Sequence, residues 1–74
     1  MESLFTTDIL IDGQPVAYAV SFHDEQYEFT PDNSNGIFFS LRREEDEWHT
    51  NDAINETVKN NAIDALDKYL LSQH

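Results

Sequence analysis

Histidines 23, 49 and 74 are the side chains whose ordinary chemistry falls nearest neutral pH, and carboxylates lie close to two of them. His23 is followed by Asp24 and Glu25, and His49 precedes Asp52 by three residues. A zinc site needs three or four converging ligands, with local pairs at helical or turn spacing. If the chain folds as a meander, His23, Asp24 and His49 sit on turns at one end of the sheet, while His74 is terminal. The expectation is exposed turn histidines and no metal. The run Asp32-Asn33-Ser34-Asn35-Gly36 starts like a calcium loop, but glycine falls at its fifth position and Arg43 at its twelfth. An EF-hand needs glycine at the sixth and a bidentate glutamate at the twelfth. The run therefore reads as an Asx-rich turn.

Covalent chemistry has even less to work with. Serines 3, 21, 34, 40 and 72 lie in no G-x-S-x-G elbow, and two glycines cannot build a phosphate-cradling loop. The absence of cysteine removes thiol nucleophiles, iron–sulfur clusters and thiolate zinc sites, and leaves the chain to fold on packing alone. Carboxylates abound, but on turns and on an outer helix face, where water holds their pKa values near normal. The sequence thus points away from an enzyme and implies no cofactor.

Charge bounds the partners. Fifteen acids against four bases give a formal net charge of −11, and residues 1–41 contain seven acids and no Lys or Arg. Phosphate backbones and anionic headgroups would be repelled, so neither nucleic acid nor a membrane is an expected partner. No apolar stretch is long enough to span a bilayer, and the first residues lack a signal-peptide pattern, so the expected location is cytoplasmic.

What must position these residues is one small domain, residues 1–74, with a meander over about 4–50 and a helix over about 52–72. Its 39% hydrophobic and 12% aromatic content suits one thin core rather than disorder. Period-2 alternation fills the first fifty residues and period 3.6 the rest. Phe5, Thr7, Ile9 and Ile11 share a face, Asp12-Gly13 is a type I′ turn signal, and Val16, Tyr18, Val20 and Phe22 alternate after it. A two-residue loop sets Ile9 opposite Val16, Thr7 opposite Tyr18 and Phe5 opposite Val20. A one-residue slip would split that face.

A third strand over Gln26–Thr30 turns Tyr27 and Phe29 inward. The preceding turn at His23–Glu25 lacks glycine, and its length stays open. A loop from Asp32 to Gly36 then sets Phe29 against Phe39 and Tyr27 against Leu41, with Ile37 also inward. A turn around Glu44-Glu45 suggests a short fifth strand, Glu47–Thr50, pairing Leu41 with Trp48 and Arg42 with Glu47. The helix is expected to begin near Asn51 or Asp52, with Ile54, Val58, Ala62, Ala65, Leu66, Tyr69 and Leu70 on its apolar side. Asp52 and Glu56 at its start and Lys68 near its end would complement its dipole. The fold class is α+β: an antiparallel four- to five-stranded β-meander with one C-terminal α-helix packed across one face.

Two surfaces remain as candidates for recognition. With the aromatic face covered, the other side presents Leu10, Ala17, Ala19 and Phe38, and Leu71 points away from the helix stripe. That surface would suit a protein partner or a sheet-to-sheet homodimer. The charge-dense turn of Glu44, Glu45, Asp46 and Glu47 is a candidate acidic dock for a basic partner. With Ile11-Asp12-Gly13-Gln14-Pro15, Tyr27-Glu28-Phe29, Trp48-His49 and Ala65-Leu66-Asp67-Lys68-Tyr69-Leu70-Leu71, the chain resembles small bacterial β-meander-plus-helix proteins of Bacteroidetes type. The resemblance implies a bacterial cytoplasmic setting and brings no functional residue with it. The leading expectation is a non-enzymatic protein–protein interaction or regulatory module, monomeric or a homodimer through the outer sheet face. A small-ligand binder using Tyr18, Tyr27, Trp48 and Tyr69 between sheet and helix is the alternative, and an acidic nucleic-acid mimic the third.

Overall fold

Asp12 (φ 50°) and Gly13 (φ 80°) both take left-handed backbone, as a type I′ turn requires. A computed structural model describes residues 3–32 and 36–73. In it the turn joins β1 (Phe5–Ile11) to β2 (Gln14–His23), with Ile9 opposite Val16, Thr7 opposite Tyr18 and Phe5 opposite Val20. The register is the one the hydrophobic alternation demands. β3 (Gln26–Pro31), β4 (Phe39–Glu44) and β5 (Glu47–His49) complete a five-stranded antiparallel sheet in sequence order. The fold is α+β, a curled meander with one C-terminal helix, α1 (Glu56–Ser72).

The second and third hairpins also use two-residue turns, at Asp24-Glu25 and Glu45-Asp46, with all four residues at positive φ. A side chain in that conformation costs about 1 kcal/mol, which is why the sequence does not advertise these turns. The third hairpin corrects the expected pairing. Arg42 lies opposite His49 and Arg43 opposite Trp48, not Leu41 opposite Trp48 or Arg42 opposite Glu47. The slip is two residues, so Trp48 keeps its expected face.

The inward face holds Ile9, Val16, Tyr18, Val20, Phe29, Phe39 and Leu41, and α1 covers it with Val58, Ala62 and Leu66. Each large side chain fully buried this way contributes about 1.5–3 kcal/mol. Rings fill much of the space: Phe29 stacks on Phe39 with centroids 4.7 Å apart, and Phe5 stacks on Tyr69 at 4.5 Å. Phe22 faces the same way and leans on Tyr27 at 4.9 Å, yet stays half exposed at the turn end of the sheet.

Three expectations fail at the ends of elements. Helix α1 begins at Glu56, not near Asn51 or Asp52, because Asn55 is the residue whose side chain accepts from the Thr57 amide (2.7 Å). The Asp52 carboxylate is engaged elsewhere, accepting from the Ser40 backbone N–H at 2.9 Å and so extending the β4 edge beyond β5. Lys68 falls short of the last helical turn, which carries no base. Ile37, expected inward on the fourth strand, lies outside it and is 45% exposed.

The β3–β4 register, continued outward, would set Ile37 against Pro31, which has no N–H to offer a ladder. The Tyr18 hydroxyl serves Ile37 instead, donating to its carbonyl (2.8 Å) and accepting from its amide (3.0 Å). Burial pushes the Tyr18 phenol above its ordinary pKa, and the bond to Ile37 offsets part of that rise. Gly36 permits the approach, since a Cβ there would stand 2.5 Å from Pro31 Cβ and 3.0 Å from the Tyr18 oxygen. Asn33, Ser34 and Asn35 of the expected Asp32–Gly36 loop, and His74, lie outside the described residues.

Removing the Tyr18 hydroxyl strands two backbone groups that water reaches only in part. Tyr18→Phe is expected to lower unfolding free energy by about 1–3 kcal/mol, and Gly36→Ala by a similar amount through overpacking. Urea denaturation checks both, and unchanged midpoints would contradict the assigned role of this contact.

Candidate functional site

The β2–β3 and β4–β5 turns lie at the same end of the sheet and flank a polar cleft of about 380 Å³ lined by Asp24, Glu25, Gln26, Arg42, Arg43 and Glu44. Of the expected acidic dock, Glu44 alone is among the lining residues, beside Arg42 and Arg43, so the cleft is of mixed charge. Within it, Arg42 Nε donates to the Glu44 carboxylate at 2.8 Å along its own strand. That hydrogen bond, then the Arg42 charge, holds the Glu44 pKa below its ordinary value, with a smaller contribution from His49. Arg43 lies over the Trp48 ring, 5.0 Å from its centroid. Glu45 and Asp46 form the exposed turn, and Glu47 approaches His49 Nε2 at 3.8 Å.

The histidines serve separate carboxylates. His23 Nδ1 lies 3.3 Å from Asp24 and 3.9 Å from Glu28, whereas His49 faces Glu47. Among the described residues no group of three or more His, Cys, Asp or Glu side chains converges as a metal site would.

The candidate partner surface is not continuous. Ala17 and Ala19 lie in β2 and are partly covered; Ala17 pairs with Asp8, and Ala19 sits between Thr6 and Thr30. Phe38 is 57% exposed just before β4, and it alone among the nine aromatic residues makes no ring–ring contact among the described residues. Leu71 is 73% exposed but belongs to α1, the layer on the opposite side of the sheet. Leu10 is the penultimate residue of β1 and borders a different feature.

That feature is a groove of about 420 Å³ where the Asp12-Gly13 turn, Ile37 and the start of α1 meet. Leu10, Ile11, Ile37 and Val58 give it an apolar lining, with Asp12, Asn55 and Thr57 as its polar members. None of Tyr18, Tyr27, Trp48 or Tyr69 lines it. Those four rings pack instead on Phe29, Phe39, Phe5 and one another. Trp48 Nε1 is buried without an acceptor among the described residues, so Trp48 serves this interior by its ring.

Sequence reasoning did not find the groove. Its lining comes from three separated segments, and Ile37 enters only because Pro31 interrupts the ladder. The isolated Gly36 after Pro31 was the available signal for that close approach.

Comparison with protein-family models, curated proteins and solved structures returned no significant match.

Because Arg42 stabilises the ionised form of Glu44, the pair's contribution is complete above the ordinary carboxylate pKa and is lost as pH falls through the lowered one. An NMR pH titration should place the Glu44 midpoint below the usual glutamate value, and Arg42→Ala should move it upward. A Glu44 midpoint indifferent to Arg42 would contradict the pairing.

Proposed function

We propose that this chain is a non-enzymatic interaction or regulatory module, cytoplasmic and monomeric, whose partner is a basic protein. One observation carries the reading: its acidic charge is outside and its cations are locally occupied or confined to the helix. No polar or charged residue is buried among the described residues. Arg42 is held by Glu44 and Arg43 by Trp48, and the other two bases, Lys59 and Lys68, both lie on α1. The first three strands and their turns carry Asp8, Asp12, Asp24, Glu25, Glu28 and Asp32 with no base among them. Such a field attracts cationic surfaces and raises their association rates.

Self-association is opposed by the same field. Two copies would set −11 against −11, and a sheet-to-sheet contact would bury the outward Asp8 and Glu28 without a cation beside them.

Immobilised protein should retain a stoichiometric basic partner from cell extract. It should release that partner as salt rises from about 0.1 M to about 1 M, where the screening length falls from about 10 Å to about 3 Å. Mass spectrometry and a saturation titration with the recovered protein provide the readout. Partners without excess positive charge, or retention indifferent to salt, would contradict the reading. Light scattering should give a monomer mass for the wild type and for Phe38→Asp alike.

A further inference from the structure

The two edges of this sheet differ. β5 is three residues long and begins with Glu47, the short and charged form in which natural edges are protected from further pairing. β1 is seven residues long, Phe-Thr-Thr-Asp-Ile-Leu-Ile, pairs with β2 without a bulge, and holds no Pro or Lys.

The hairpin geometry fixes which of its backbone groups are free. A two-residue loop makes Ile11 and Gln14 a hydrogen-bonded pair, and every second pair repeats this, so Ile9 bonds to Val16 and Thr7 to Tyr18. The bond from Asp32 N to Ala17 O (2.9 Å) agrees, because it turns the backbone of Ala17 toward β3 and leaves that of its neighbours to β1. The N–H and C=O groups of Thr6, Asp8 and Leu10 therefore point to the open edge. No turn, loop or side-chain bond reaches them among the described residues.

We propose that β1 is a docking edge, on which an extended basic peptide segment of a partner protein adds antiparallel as a sixth strand and seats an apolar side chain in the adjoining groove. The inference rests on the basic-partner reading above and gives it a place. Asp8 stands at the centre of the free edge with its side chain in solvent, so a Lys or Arg opposite it forms an opposite-charge cross-strand pair. The residue opposite Ile11 points to the helix side, where the groove is lined by Ile11, Ile37 and Val58. In an antiparallel strand those two partner residues are three apart, apolar first and basic second. Main-chain bonds supply affinity, and these two side chains supply the choice of sequence. A second copy of this chain suits the edge poorly. Its most extensive antiparallel pairing centres on Asp8 and sets two carboxylates opposite each other.

The test uses the full chain and a blocked heptapeptide, Thr-Leu-Val-Thr-Lys-Thr-Val, in which Leu opposes Ile11 and Lys opposes Asp8. Binding is followed by calorimetry or fluorescence anisotropy at low salt, with polylysine as a probe of charge alone. N-methylation of the third, fifth and seventh residues, whose amides face β1, should weaken binding about tenfold or more, whereas methylation of the fourth and sixth should spare it. Asp8→Lys should weaken the Lys peptide and restore binding to a Glu version, and Ile37→Asp should weaken it through the groove. Circular dichroism confirms that the variants fold. Binding that ignores the methylation pattern and Asp8 would overturn the docking edge and leave the basic-partner reading standing. If neither peptide nor polylysine binds, both fall. A chain that doubles in mass through β1 when alone would show a second copy as the occupant and overturn the proposal.

Discussion

A single buried hydroxyl ties the least regular part of this protein to its core. Tyr18 sits at the centre of the inward face, fully covered, and its oxygen meets both backbone groups of Ile37. An unpaired hydroxyl at that depth would cost about 1–3 kcal/mol, so the chain after the β3–β4 loop is drawn to the ring. The pull fixes where β4 begins, holds Gly36 against Pro31, and leaves the Ile37 side chain half in solvent. The groove beside the start of α1 exists because of this arrangement. A continuous ladder through residue 37 would have turned that side chain inward.

The core was legible because its signals are local and redundant. Asp12-Gly13 and the alternation of Phe5 to Phe22 independently demand one register, and the same logic sets Phe29 against Phe39 and Tyr27 against Leu41. Element ends were less legible, because several residues there can do the same job. Asn51, Asp52 and Asn55 are all competent helix caps, and the choice fell to Asn55 once Asp52 was engaged by Ser40. The β4–β5 register depended on a turn whose two residues, Glu45 and Asp46, adopt a conformation that their side chains disfavour. Of the candidate surfaces, Phe38 and the acidic turn are exposed as read from the sequence. Leu71 falls on the other layer, and Leu10 matters through the groove it borders.

Acidity and edge structure work together in this fold. Fifteen carboxylates against four bases give this chain of 74 residues a net charge of −11, so that two copies repel each other electrostatically. That repulsion allows the sheet to carry a seven-residue edge strand whose only charged residue is Asp8. On the proposed reading, the charge that opposes self-pairing is also the charge that would draw a cationic strand to this edge. At the far end of the sheet, Arg42 and Arg43 are occupied by Glu44 and Trp48, and the other two bases, Lys59 and Lys68, lie on α1.

Residue-resolved amide hydrogen exchange of β1 tests this account most directly. In the free protein Thr7 and Ile9 should be protected while Thr6, Asp8 and Leu10 exchange quickly. Saturation with the basic heptapeptide should slow those three and leave the alternate pair unchanged. Uniform protection along β1 in the free chain, or three amides that still exchange quickly under a saturating peptide, would contradict it.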